Sequence, residues 1–472
     1  MNKLKLNKQS KPEFGELDEM LSGLNDFLNE EVDFNDVAWN ENLDIILDFQ
    51  DDDGSFKLFD TFKIPSDARV DFCYTPTYLC CAILMKAYLT DANSFAKKEI
   101  TALSEGLKIS TARNLTGHGY EGLKGQIEAL GIFMKGGLNE FLDLYPDFCP
   151  EFSEMMDKII SKFADMESNG QFTGPWGESY EDEIKAVNQY FRQRQVFVYG
   201  TLMKGETNHR YLENSTYLGT TLIEGYEMYD VGWYPAIIAG DGLVVGEVYQ
   251  VPKSDMPAID RLEGEGHLYA KKCQRVILNG KPTFAFVYVY LGDCSDLERI
   301  ASWKEYVWYV SYGSNMLFER FIRYIKGGSY GGSAYREACS DTSLPVAVRT
   351  VEIPFDMYFG NLSSWGGGVS FLDTTKKGKS LGVAYLITKE QFEHVSCEEN
   401  CGRCPGGGEW YEDIIDLKPI DGFEVKTITN NDLRDYNEPS QAYLETLFKG
   451  INENWPEMSD EEIWDYLGGC IR

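Results

Sequence analysis

From Leu17 to Gln193 apolar residues recur at three- and four-residue spacing, in Leu17-Asp18-Glu19-Met20-Leu21, Tyr78 to Leu89 and Met155 to Phe163. That period predicts helices. Turn-forming residues punctuate the pattern at Asp53-Gly54-Ser55, Ile64-Pro65-Ser66, Thr116-Gly117-His118-Gly119 and Asn169-Gly170, so an all-α region is expected. Charged Arg192 and Arg194 then give way to Val196-Phe197-Val198-Tyr199, a β-branched and aromatic run that signals a change of class. A domain boundary follows near residue 194. Beyond it lie short strand-like runs, such as Leu243 to Tyr249 and Thr283 to Tyr290, with few long helices.

This β-rich half repeats itself. Val196-Phe197-Val198-Tyr199-Gly200-Thr201-Leu202 is echoed by Trp308-Tyr309-Val310-Ser311-Tyr312-Gly313-Ser314-Asn315-Met316, each a strand, then Tyr-Gly, then a small hydroxyl residue. A glycine at a strand end lets the backbone turn sharply and aim successive N–H groups at one place, forming a nest for a carboxylate or other anion. An ordinary strand-ending turn is the competing reading of a match this short.

The rest of the first copy carries more: Gly205, Asn208 and His209, Tyr234-Pro235, Val245-Gly246-Glu247-Val248-Tyr249, Ile259-Asp260-Arg261-Leu262-Glu263-Gly264 and His267-Leu268-Tyr269. In this order the residues from about 195 to 295 resemble the γ-glutamylamine cyclotransferase and AIG2-like branch of the γ-glutamyl cyclotransferase family. The resemblance implies that Tyr199, Gly200, Thr201 and Leu202 grip the substrate together with Tyr269, and that Glu263 is the catalytic acid/base. Family members follow the later tyrosine directly with a basic residue, whereas here Ala270 precedes Lys271. Residues from about 305 to 450 resemble the longer branch that begins Tyr-Gly-Ser-Asn, through Met357-Tyr358-Phe359-Gly360-Asn361, Trp365-Gly366-Gly367-Gly368-Val369, Gly382-Val383-Ala384-Tyr385 and Pro439-Ser440 before Tyr443-Leu444. There the binding loop is Tyr312, Gly313, Ser314 and Asn315. The acid is one of Glu398 and Glu399, and Glu399 is preferred because Asn400 after it stands where a small glycine is usual.

In the reaction this resemblance implies, the substrate's own α-amine attacks its γ-carbonyl, closing 5-oxoproline and expelling an amine. A carboxylate must move one proton and N–H groups must meet the developing oxyanion. No metal or cofactor is implied. A base works best with its pKa near the working pH, so Glu263 is expected to be partly buried, where desolvation raises it.

Composition narrows the alternatives. The length of 472 residues suggests two to four domains, of which three are expected. These are a helical region of unknown role (1–194), an AIG2-like domain (195–300) and a second cyclotransferase-like domain with a C-terminal helical extension (305–472). Both latter domains are expected to be α+β and built on small mixed β-barrels. Acidic residues outnumber basic ones 76 to 44, a formal charge of −32 that repels nucleic acid and anionic lipid. Neither a secretory signal nor a membrane-length apolar run is found, and the 11 cysteines are scattered, so a reducing cytoplasm is the expected location.

Other constellations were weighed. Asp51, Asp52 and Asp53 read either as a cation site or, preferably, as an acidic turn. Cys397, Cys401 and Cys404 with His394 read as structural zinc, as an iron–sulfur site, or, preferably, as a glycine-rich loop of free cysteines. The four histidines, His118, His209, His267 and His394, have no nucleophile setting that suggests a hydrolytic triad. Two functions remain: a cyclotransferase releasing 5-oxoproline from a γ-glutamyl amine or peptide, or a catalytically silent binding protein on the same fold.

Overall fold

The computed structural model describes residues 3–6, 14–56, 74–115, 122–174, 177–278, 280–331, 335–400, 402 and 410–471. The expected turns at Pro65 and Gly117, together with His118, Cys401 and Cys404, lie outside these residues.

Eight helices come first among the described residues: α1 (Phe14–Asn29), α2 (Val37–Phe49), α3 (Thr75–Thr90), α4 (Lys97–Ala112), α5 (Gly122–Lys135), α6 (Leu138–Leu144), α7 (Pro150–Ser168) and α8 (Glu181–Arg192). α3 is the centre of the region, with every residue from Pro76 to Ala87 buried. A helix apolar on all faces has nowhere stable to lie except inside others, and α1, α4, α5 and α6 surround it. Lys86, an apparent interruption of that apolar run, is buried too; its ammonium donates to Leu28 O at 2.7 Å and Glu30 O at 2.6 Å. The Asp53 carboxylate accepts from Ser55 N at 3.0 Å, so it serves the turn in which it sits.

The helices end where the sequence changes class. β1 (Gln193–Val198) begins immediately after α8, followed by β2 (Thr216–Asp230), β3 (Pro235–Pro252), α9 (Met256–Glu263), β4 (Tyr269–Leu278), β5 (Lys281–Tyr290) and β6 (Glu298–Ile300). The six strands form one mixed sheet in the order β4-β5-β1-β3-β2-β6, with β1 antiparallel to β3 and parallel to β5. The long β2–β3 hairpin shifts register between Tyr217 and Gly219 and between Glu224 and Tyr226, as bulges do when they bend a ribbon. Bending brings β2 to β4, where Thr221 Oγ1 donates to Ile277 O at 2.7 Å and the Tyr226 hydroxyl to Gln274 at 3.2 Å. Side chains make that contact; among the described residues no backbone ladder closes the expected barrel.

The remaining elements are β7 (Tyr306–Ser311), α10 (Phe318–Lys326), β8 (Ala347–Ile353), β9 (Asp356–Gly360), β10 (Val369–Asp373), β11 (Ser380–Thr388), α11 (Lys389–Glu399), β12 (Asp413–Ile420), β13 (Phe423–Thr429), α12 (Gln441–Asn454) and α13 (Asp460–Gly469). Five strands pair in the order β12-β13-β7-β11-β8, while β9 and β10 form a separate ribbon. Here β7 is antiparallel to β11 and parallel to β13, the relations that β1 has to β3 and β5.

The three parts share apolar surface. The helical core continues onto Cys273 of β4 and Phe284 of β5, and Val245 of β3 belongs to the core of the second sheet. Between the sheets, Lys304 reaches back to the buried Glu247 carboxylate at 2.8 Å and to Lys204 O at 2.6 Å. No helix among the described residues is long and apolar enough to cross a membrane.

Candidate active site

β1 ends at Val198 and the chain turns at once, with Met203 N donating to Gly200 O at 2.9 Å. The turn packs against Pro235 so closely that a Cβ on Gly200 would stand 2.6 Å from the proline Cγ, which only glycine avoids. Asn208 holds the outer side of the loop through Thr201 Oγ1 at 3.0 Å, and the His209 ring meets Leu202 O at 3.0 Å.

Opposite this loop, α9 stops at Gly264, whose left-handed φ of 61° lets its N–H return to the last carbonyls of the helix. Glu263 is thus the final helical residue. Its carboxyl borders a cavity of about 30 Å³ lined also by Tyr199, Gly200, Thr201, Leu202, Tyr234, Pro235, Tyr269 and Tyr288. The apolar walls strip water from Glu263 and push its pKa from 4.5 up to about 7. α9 is anchored one turn earlier, where Asp260 accepts from Lys271 at 3.0 and 3.1 Å and from the Tyr288 hydroxyl at 2.6 Å. Lys271, one place later than the resemblance leads one to expect, therefore bonds Asp260.

The cavity tyrosines use their hydroxyls on the fold. Tyr199 donates to Tyr288 O at 2.6 Å and Tyr269 to Pro235 O at 2.8 Å, leaving ring faces and loop backbone as the wall. Burial raises the pKa of both phenols, so they stay protonated donors.

The second sheet repeats this arrangement. Met316 N donates to Gly313 O at 2.9 Å, and the Tyr312 hydroxyl donates to Ile428 O of β13 at 2.7 Å, as Tyr199 does to β5. Glu399 ends α11 as Glu263 ends α9, and both helices follow the strand antiparallel to the loop-bearing one. A cavity of about 30 Å³ joins Glu399 with Tyr309, Ser311, Tyr312, Gly313, Ser314, Asn315, Ser370 and Tyr411. Asn315 Nδ2 donates to Glu399 at 2.6 Å, while its buried Oδ1 has no hydrogen-bond partner among the described residues. The two adjacent acids part company: Glu398 pairs with Arg336 at 3.2 Å and does not line the cavity. Asn400 bonds Tyr411 N at 2.6 Å and Tyr411 O, which ties the end of α11 to a tyrosine of the cavity wall.

Sequence reasoning missed Asp260, Tyr288, Ser370, Tyr411 and the buried Arg320, whose Nε donates to Ser314 Oγ at 2.7 Å. For Asp260 a signal existed, since it lies three residues before Glu263 on one helix. Tyr288 and Ser370 come from distant strands and Tyr411 from the chain before β12, whereas Arg320 lies on α10 only six residues after Ser314. Of the proposed metal ligands, Cys397 is half-buried and its partners Cys401 and Cys404 lie outside the described residues. His394 instead meets Glu337 O at 3.2 Å.

Comparison with known proteins places this geometry. The family model described as "Gamma-glutamyl cyclotransferase, AIG2-like" matches residues 196–307. The γ-glutamylcyclotransferase family protein YtfP of Escherichia coli K12 is 32% identical over 108 residues, 23% of this chain and 92% of that protein. The γ-L-glutamyl-butirosin B γ-glutamyl cyclotransferase of Niallia circulans is 35% identical over 119 residues, 24% of this chain and 76% of that protein. Through the segment that carries the Tyr199–Leu202 loop and Glu263, the chain belongs to the AIG2-like γ-glutamyl cyclotransferase family.

Proposed function

We propose that residues 195–300 catalyse release of 5-oxoproline from a γ-glutamyl amine or peptide. The observation that carries this reading is a carboxyl with a pKa near 7, Glu263, facing a strand-end loop across a small cavity. As carboxylate, Glu263 takes a proton from the substrate ammonium; the freed amine attacks the γ-carbonyl of the same molecule, the bond from that carbon to the departing nitrogen breaks as Glu263 returns the proton to it, and the new ring nitrogen releases its second proton to water. Amine and carbonyl already belong to one molecule, so holding the chain folded supplies much of the rate. The N–H groups of the Gly200–Leu202 turn are the candidates for the oxyanion. Tyr269 shapes the substrate side of the cavity.

Residues 305–472 are read as a second copy with a helical extension, Glu399 as its acid and Tyr312 to Asn315 as its loop. The shared strand relations and the helix-terminal acid support this. Asn315 holds the Glu399 carboxylate, and its free Oδ1 is suited to accept from a substrate ammonium.

Measuring 5-oxoproline release from γ-glutamyl amines, γ-glutamyl dipeptides and glutathione, for wild type, Glu263→Gln, Glu399→Gln and the double variant, tests both assignments. Loss in one single variant identifies the working copy. No release from any substrate by folded wild type sinks the enzymatic reading and leaves a binding protein on a cyclotransferase fold.

A further inference from the structure

A polar cleft lies away from both cavities, where the helical region meets the first sheet. It measures about 260 Å³ and is bordered by Lys86 of α3, Asn139 and Glu140 of α6, Gln193 and Arg194 at the start of β1, and Arg275 of β4. One water needs only about 10–15 Å³, so the space holds a molecule of several heavy atoms. Ligand sites concentrate at such junctions between units.

Its charges are incompletely matched. Lys86 is buried, spends two of its three donors on backbone carbonyls and has no carboxylate within ion-pair distance among the described residues. Arg275 acts on it as a second cation, and burial together with that repulsion lowers the Lys86 pKa to about 8. Among the described residues the carboxylate paired with Arg275 is Glu31 at 2.9 Å, which is two-thirds exposed. An anion placed between Lys86 and Arg275 would satisfy both.

Glu140 has the complementary problem. It is 6% exposed, and among the described residues no other side chain bonds it. The neighbouring Arg194 is already committed to Asp143 at 2.6 and 3.1 Å. Asn139 and Gln193 beside it each keep a buried side-chain oxygen without a partner among the described residues. The groups that act on Glu140 are Arg194 and Asp143, whereas those acting on Lys86 are Arg275, Glu31 and Glu30, so the two form separate charge centres. Acceptors without donors in one place, and in another a buried lysine with no bonded carboxylate beside an arginine held by a single exposed one, describe the imprint of a zwitterion.

We propose that this junction cavity binds a small α-amino acid, its carboxylate between Lys86 and Arg275 and its ammonium against Glu140, Asn139 and Gln193. The site is distinct from the Glu263 and Glu399 cavities and shares no lining residue with them. It gives the helical region a ligand of its own.

Calorimetric titration of the full chain with glycine, L-glutamate, L-glutamine and L-lysine tests this, using Arg275→Gln and Glu140→Gln. Both substitutions are suited to fold, since Glu31 can turn to solvent and glutamine matches the shape of Glu140; thermal melts check that they do. Saturable binding of at least one amino acid, weakened tenfold or more by each substitution, is the expected result. Absence of binding by all four, or binding that both folded variants retain unchanged, overturns the proposal.

Discussion

In the proposed reaction Glu263 must hold a proton at one moment and release it at the next, and its surroundings set that balance. With a pKa of about 7, only the ionised form accepts from the substrate, so kcat/KM for 5-oxoproline release is expected to fall as pH drops below about 7. Glu263→Gln should lower kcat by roughly 10²–10⁴-fold while leaving the circular dichroism spectrum unchanged. The same shift has a stability consequence of opposite sense. Between pH 4.5 and 7 the folded chain keeps a proton that the unfolded chain has lost, so Glu263 destabilises the fold as pH rises through that window. In denaturant titrations Glu263→Gln is therefore expected to gain stability over wild type at pH 8 and not at pH 4, by about 1 kcal/mol after allowing for partial exposure. Gly200→Ala fails differently: its methyl group would press on Pro235, a strain of about 1–3 kcal/mol, or else displace the loop, so melting temperature or 5-oxoproline release must fall. The Tyr-Gly loops and the Leu-Glu-Gly phrase were legible in the sequence because strand end, turn and helix stop are local events.

At the scale of elements, α9 is a lever whose last residue is the proposed acid/base. Asp260 fastens it to β4 through Lys271 and to β5 through Tyr288. Asp260→Asn should keep the helix but loosen that attachment, reducing kcat about tenfold with KM less affected, as steady-state kinetics would show. An unchanged kcat would show that packing alone holds α9. Helix and strand classes were readable from periodicity, and β1 begins at Gln193, just before the β-branched run at Val196. Strand extents were not, because β2 and β3 run on through bulges that an alternation of two obscures. Barrel closure was also beyond reach of the sequence, since it depends on how far those bulges bend β2 toward β4.

The whole molecule is joined by surfaces that no one segment announces. Glu247, 5% exposed, accepts from Lys204 N at 2.7 Å, from the Tyr249 hydroxyl at 2.8 Å and from Lys304 across the link to the second sheet. Lys304→Met should strand that carboxylate at a cost of about 1–3 kcal/mol, and adding Glu247→Gln should recover part of it; thermal melts of the cycle measure the coupling. A fragment beginning at Gln193 is expected to aggregate in light scattering, because Cys273 and Phe284 lose the helices that pack on them. By itself the sequence determined the helical and β-rich halves, the two loops and Glu263, since periodicity, turn chemistry and short motifs are written in neighbouring residues. Only the tertiary structure put Glu399 rather than Glu398 on the cavity wall, seated Asp260 against Lys271 and Tyr288, and gathered Lys86, Glu140 and Arg275 around one cavity. Those outcomes depend on which distant surfaces exclude water together, and burial, which sets the meaning of a charge, belongs to the folded chain.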